Sequence, residues 1–82
     1  MAGPYKLSPN QVQSNIPTWA LGRTTTVHAN CTADGYLEMR AGGSPAESTS
    51  VHVGQNHFTR DFGGVHLAVK NLTNAEMTVT TE

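Results

Sequence analysis

The sequence is poor in charge, and neither sign dominates. Only 13% of its 82 residues are charged, and the formal net charge is −1. Proteins that bind nucleic acid usually carry a basic surplus, because neutralising phosphates supplies much of their affinity. The basic residues here are scattered along the chain: Lys6, Arg23, Arg40, Arg60 and Lys70. We therefore expect no nucleic-acid partner, and little electrostatic repulsion between copies of the chain.

Cysteine is nearly absent as well. Cys31 is the only one, so no disulfide can form within the chain. A chain of this size buries only about 60–65% of the surface that its unfolded form exposes, so its core alone gives a thin margin of stability. Such chains often gain stability from a metal or from a second subunit. We therefore expect a homo-oligomer or a larger protein assembly.

Long apolar runs are missing. No stretch approaches the ~18 apolar residues of a membrane-spanning helix, which predicts that the chain has no membrane partner. The first nine residues also lack the basic start and the apolar run of a signal peptide. The sequence thus predicts that the chain is synthesised in the cytoplasm without a signal peptide. Incorporation into a virion is compatible with this prediction.

Helical periodicity is missing too, and a different pattern takes its place. From Arg23 onward apolar and polar residues alternate, as where Val27, Ala29 and Cys31 share one face of a strand. Six such segments follow one another at roughly ten-residue spacing, separated by residues typical of turns. The pattern predicts an all-β domain over residues 23–82, a small antiparallel sandwich or barrel of about six strands. It leaves the choice between a sandwich and a closed barrel open.

Residues 1–22 have a different composition. They hold three of the four prolines, Pro4, Pro9 and Pro17. Proline fixes φ and removes a hydrogen-bond donor, so this segment is neither a central strand nor a long helix. We predict an extended N-terminal arm. Its apolar residues are spaced like anchors for a groove on this subunit or a neighbouring one, and they form the predicted assembly site: Tyr5, Leu7, Val12, Ile16 and Trp19.

The sequence contains no recognisable set of catalytic residues. His28 and Cys31 are the nearest base and nucleophile, but residues three positions apart in a strand face opposite sides. The acidic residues lie mostly at predicted turns or outward strand positions, which does not favour a carboxylate pair for hydrolysis. We therefore predict that the chain is not an enzyme and binds no cofactor.

The four histidines, His28, His52, His57 and His66, are the remaining candidates for chemistry. Tetrahedral zinc takes about four ligands, often with paired local spacings, and the chain has neither C-x-x-C nor H-x-H. We interpret the histidines as surface residues and predict no metal site. The alternative is that exposed histidines of several subunits converge on a symmetry axis and bind a metal there.

Two functions fit these observations. The first is a structural, self-assembling β module, such as a virion decoration or capsid-associated protein, that oligomerises through its N-terminal arm and Thr-rich sheet faces. The alternative is a carbohydrate- or small-ligand-binding β module whose turns form the binding rim. Tyr36, beside the Asp34-Gly35 turn, is the aromatic residue best placed to stack on a sugar. The predicted rim consists of Asp34, Tyr36, Asn56 and His57.

Overall fold

A computed structural model describes residues 2–82, and all regular structure in this range is β-strand. The strands are β1 (Ala2–Leu7), β2 (Val12–Ile16), β3 (Thr25–Cys31), β4 (Gly35–Ala41), β5 (Glu47–Val51), β6 (Gly54–Arg60), β7 (Leu67–Thr73) and β8 (Met77–Thr81). The predicted all-β class is confirmed. The predicted number of six strands is wrong: residues 2–82 form eight, because the predicted arm contains the first two. Nothing within this range is a helix long and apolar enough to cross a membrane.

The strands form two antiparallel sheets of four strands each. Sheet A has the order β1-β8-β3-β6, and sheet B has the order β2-β7-β4-β5. The first strand therefore pairs with the last, the second with the seventh, the third with the sixth and the fourth with the fifth, as in one long hairpin. This hairpin is folded over into two layers. This is the strand order of an eight-stranded jelly roll. The described residues thus form a sandwich, and no closed barrel is seen.

The two halves of the chain occupy equivalent places in the sandwich. Each strand of the first half can be exchanged with the strand four places later in the chain, so that β1 exchanges with β5 and β4 with β8. The order of sheet A, β1-β8-β3-β6, then becomes β5-β4-β7-β2, which is the order of sheet B read backwards. By this relation β3 corresponds to β7, and the β3–β4 turn (residues 32–34) corresponds to the β7–β8 turn (residues 74–76). These two turns are therefore comparable pieces of structure.

The proline-containing strands β1 and β2 lie at the edges of the two sheets. An edge strand tolerates Pro4 because one side of its backbone has no strand partner. The connection between β1 and β2 is a tight turn in which the Gln11 amide donates to the Ser8 carbonyl at 3.0 Å. Asn10, which follows a proline, has a φ of 67°, as the third residue of a type II turn requires. Within the described part of the segment 1–22, two stretches are thus strands of the sandwich, and a tight turn joins them.

The hydrophobic core lies between the sheets and is built from alternating residues of the strands. In β3 and β7 every second side chain is buried, as the period of a strand facing a core requires. The core contains Leu7, Ile16, Val27, Ala29, Cys31, Leu37, Met39, Val51, Leu67, Val69, Met77 and Val79. The edge strands β1 and β2 each supply a fully buried residue, so they contribute to the stability of the domain itself.

Candidate functional site

The five residues predicted to mediate assembly are spread over the sandwich and do not form one surface. Leu7 and Ile16 are 0% exposed, and Tyr5 packs against the same core. Trp19 is half-buried in the connection between β2 and β3, whereas Val12 is 50% exposed on the outer face of sheet B. Two of the five are therefore occupied within their own domain, and a neighbouring subunit cannot contact them unless the domain opens.

The predicted rim begins at the β3–β4 turn, which is held to the β5–β6 turn (residues 52–53). The Val53 amide donates to Oδ1 of Asp34 at 2.9 Å. Asn56 holds the β5–β6 turn from inside: its Oδ1 accepts from the His52 amide at 3.0 Å, and its Nδ2 donates to the carbonyl oxygens of His52 and Ala29 at 2.9 and 3.2 Å. Asn56 is therefore a supporting residue, whereas Asp34 stands at the surface.

Tyr36 follows Gly35, the residue at which β4 begins after this turn. A Cβ on Gly35 would lie 3.0 Å from both the carbonyl oxygen of Leu72 and the Cα of Thr73, so β4 approaches β7 this closely only with glycine at that position. The next residue, Tyr36, points away from the core and is 56% exposed. Its partner across the ladder is Ser50 of β5.

An open, shallow depression of about 330 Å³ lies at this end of the sandwich, lined by the side chains of Asp34, Tyr36, Ser50 and His52 together with Gly35 and Val51. We call Asp34, Tyr36, Ser50 and His52 the Tyr36 site. It combines an exposed aromatic ring with a carboxylate, a hydroxyl and an imidazole. An aromatic ring offers an apolar face for stacking, and the polar groups around it fix the orientation of a ligand. Sequence reasoning identified two of these four residues and missed Ser50 and His52, which reach the site only through the pairing of β4 with β5.

His57, the last predicted rim residue, belongs to a different surface. It lies on β6 directly opposite His28 of β3, on the outer face of sheet A. The two Nδ1 atoms are 2.9 Å apart, and the rings meet edge to face at 83°. Nε2 of His28 is 2.5 Å from Oε2 of Glu82. We call His28 and His57 the histidine pair. Within residues 2–82, no three or more His, Cys, Asp or Glu side chains are grouped so that they could hold a metal ion.

The rest of this outer face is polar and rich in threonine. The hydroxyls of Thr26 and Thr59 are 3.0 Å apart on adjacent strands. A shallow depression of about 170 Å³ lies between β8, β3 and β6, lined in part by Thr78 and Thr80. We call the outer surface formed by these strands the threonine face; its polar side chains are Thr26, Asn30, Gln55, Thr59, Thr78 and Thr80.

Asn71 is a buried polar residue that sequence reasoning missed. It is 0% exposed. Its Nδ2 donates to the carbonyl oxygens of Leu7 and Ala75 at 2.9 and 2.7 Å, and its Oδ1 accepts from the amide and the hydroxyl of Thr73 at 2.9 and 2.7 Å. It thus joins β1 to the β7–β8 turn. The available signal was the Asn-x-Thr spacing just before a turn, where such side chains often bond the backbone.

Cys31 is a core residue, as its alternation predicts. It is 2% exposed, and burial, reinforced by the charge of Asp34, raises the pKa of its thiol. The thiolate is the nucleophilic form, so a thiol with a raised pKa and no access to solvent is a poor nucleophile. The side chain therefore acts in packing, together with a weak contact from Nδ2 of Asn56 at 3.7 Å.

Comparison with known proteins finds one matching family model and similar proteins that align with nearly the whole chain. A family model, described as a family of unknown function (DUF8244), matches residues 5–82. Two proteins of Dictyostelium discoideum, both described as uncharacterized, are each 41% identical to this chain over an alignment of 83 residues, which covers 99% of this chain and 99% of the relative. No solved structure matches the chain. The matched range includes part of β1 and all of the other strands.

Proposed function

The chain belongs to the family of unknown function DUF8244, and we propose that it is a non-enzymatic β module that binds a carbohydrate or a similarly small polyhydroxylated ligand at the Tyr36 site. One observation carries this proposal: the exposed ring of Tyr36 lines an open depression together with Asp34, Ser50 and His52. A sugar presents both an apolar face and hydroxyl groups, so it matches this combination of an aromatic surface with polar neighbours.

The site also has a suitable size and support. Its volume of about 330 Å³ lies at the lower end of the range of about 300–1,000 Å³ for ligand pockets, which suits one ring and its substituents. Asp34 is held by the Val53 amide, and Tyr36 and Ser50 belong to paired strands. The Asp34 side chain and the backbones of Tyr36 and Ser50 are thus already in place, which lowers the cost of ordering the site on binding.

Binding to a panel of glycans, followed by an NMR titration of the best ligand, tests this proposal. We expect Tyr36→Ala to abolish saturable binding and Tyr36→Phe to retain most of it, because phenylalanine keeps the ring. Val12→Ala is a matched control, since Val12 is also about half exposed but lies on the outer face of sheet B. Binding that survives Tyr36→Ala, or shift changes confined to another surface, would contradict the proposal.

A second candidate function, self-assembly, is favoured by the threonine face. This face spans three adjacent strands, and its side chains are mostly uncharged. Two such faces would meet without like-charge repulsion. The threonine face supports self-assembly, whereas the N-terminal segment does not, because its residues Leu7 and Ile16 are buried in the core of their own domain. A cytoplasmic location and a place in a virion or another particle stay predictions.

Sedimentation equilibrium at micromolar concentration tests self-assembly. We expect an oligomer that Thr80→Lys dissociates, because the added charges would face each other across the interface. Ser48→Lys is the matched control, since Ser48 lies on an outward position of β5 in the other sheet. A strictly monomeric wild-type chain would eliminate this second candidate.

A further inference from the structure

The histidine pair is held on a long, regular ladder of the sandwich. β3 and β6 pair over seven consecutive residues without a shift in register, and His28 and His57 are directly opposite near its middle. Side chains opposite each other on one face have Cβ atoms about 4.5–5.5 Å apart. The backbone therefore keeps the two imidazoles within reach of a single small ligand between them.

The separation of the ring nitrogens fits the geometry of a metal ion. Metal–imidazole bonds are about 2.0–2.1 Å long, so two such bonds at a right angle place their nitrogens about 2.9 Å apart, and at a tetrahedral angle about 3.3–3.4 Å apart. The two Nδ1 atoms are 2.9 Å apart. This distance equals the edge between neighbouring ligands in the square-planar sites that Cu²⁺ and Ni²⁺ prefer. The rings need only to tilt, and the terminal torsion of histidine is soft.

Glu82 orients the first of the two imidazoles for this role. Its carboxylate accepts a hydrogen bond from Nε2 of His28, which leaves Nδ1 of the neutral ring with a lone pair directed toward His57. Metal-bound histidines almost always donate their other ring N–H to a carboxylate, a carbonyl or water. With this tautomer of His28, an Nδ1–H of His57 is the matching donor for the 2.9 Å contact between the two Nδ1 atoms, and a metal ion takes the place of that proton.

We propose that His28 and His57 form a surface site for one divalent transition-metal ion, with a preference for Cu²⁺ and Ni²⁺, and that Glu82 is the positioning residue of the site. The two imidazoles supply neighbouring ligands, and water fills the other positions, so the ion is exchangeable. On binding, the proton between the two Nδ1 atoms leaves Nδ1 of His57 and its Nε2 takes up a proton, so that the ring stays neutral and ligates the ion through the freed Nδ1 lone pair. The site is separate from the Tyr36 site and does not depend on what binds there.

Titration of the untagged chain with Cu²⁺ and with Ni²⁺ tests this proposal by calorimetry. We expect saturation at one ion per chain and tighter binding of Cu²⁺ than of Ni²⁺ or Zn²⁺. The paramagnetic resonance spectrum of the Cu²⁺ form should show coupling to two imidazole nitrogens. His28→Ala and His57→Ala should each remove one of the two nitrogens and weaken binding, by about tenfold or more.

Matched controls come from the exposed His66 and from Glu82. His66→Ala should leave affinity and spectrum unchanged, because His66 lies outside the histidine pair. Glu82→Gln should weaken binding by about tenfold while keeping both nitrogens in the spectrum. Because His28→Ala also removes the contact with Glu82, His57→Gln, checked for folding by circular dichroism, is the decisive variant. No saturable binding, or binding unaffected by His57→Gln, would overturn the proposal.

Discussion

The β3–β4 turn and the β7–β8 turn hold equivalent places in the two halves of the sandwich, and the chain enters each of them through an Asn-x-Thr sequence. In Asn71-Leu72-Thr73 the asparagine and the threonine point into the protein, and Asn71 is 0% exposed. In Asn30-Cys31-Thr32 the middle residue points inward instead, and Asn30 is exposed. The same three-residue pattern therefore lies in opposite phase relative to the core, and a shift of one residue exchanges the two faces of a strand.

This difference in phase gives the two turns different roles. The β7–β8 turn is closed by buried amide and hydroxyl groups that also reach β1. The β3–β4 turn is fixed at the surface by Asp34, and an exposed tyrosine follows it. We conclude that one turn stabilises the sandwich, whereas its counterpart is open to a ligand.

The largest expected effect is at the closed turn. Asn71→Ala leaves the buried carbonyl of Leu7 and the buried amide of Thr73 without their side-chain partner. Each such buried group costs about 1–3 kcal/mol, so we expect a loss of about 4 kcal/mol in the free energy of unfolding. Asn30→Ala, its counterpart, should change this free energy by less than about 0.5 kcal/mol. Urea unfolding of both variants measures the contrast, and similar losses would remove the distinction between the turns.

The next effect compares two neighbours on β4. Leu37 is 0% exposed and Tyr36 is 56% exposed. Leu37→Ala creates a cavity in the core and should cost about 3 kcal/mol. Tyr36→Ala should cost about 1 kcal/mol or less, because the ring packs little against the fold. Thermal unfolding followed by circular dichroism gives both values, and a large loss in Tyr36→Ala would show that the ring is structural.

A smaller effect is expected at the open turn. Asp34→Ala removes the acceptor of the Val53 amide, which lies at an exposed position. We expect a loss of about 1 kcal/mol, the ordinary net value of one hydrogen bond. Asp34→Asn keeps an acceptor oxygen and should restore most of the stability. A loss as large as that of Asn71→Ala would mean that both turns are structurally essential.

The smallest effect is a dependence on pH through Cys31, the residue that points inward in the first Asn-x-Thr sequence. Its pKa in the folded chain is raised above the ordinary value of 9.0 by burial and by Asp34. The unfolded chain therefore loses the thiol proton first, so stability should fall as the pH rises above about 9. Cys31→Ala should show a shallower decline than the wild type in unfolding experiments at pH 8 to 10. Identical slopes would contradict this assignment.

The strands of the central region could be predicted from the sequence, because strict alternation from Val27 to Cys31 and from Tyr36 to Arg40 has no helical interpretation. The two N-terminal strands could not. Pro4 in β1 and the register shift between Gln13 and Ile16 in β2 obscure the alternation, and edge strands tolerate both features. The sequence pattern therefore predicts an arm in a segment where the protein has two strands.

The candidate sites were only partly predictable for a related reason. Asp34 and Tyr36 are close in the chain, so a turn pattern identified them together. Ser50 joins them, and His57 meets His28, only through pairing between strands. Register between strands depends on the whole topology, and one sequence without the fold does not define it. Functional residues that are neighbours in the chain could therefore be predicted from the sequence, whereas contacts between residues far apart in the chain could not.

The rolled hairpin also determines when the domain can form during synthesis. Ala2 pairs with Thr81, so β1 waits for β8 before its backbone has a partner. Contacts between residues so far apart in the chain close late and slow folding. Until then Leu7 has no core to enter, and the edge of β1 is open to other chains. β8, the last of the described strands in chain order, is thus the one that pairs with the first.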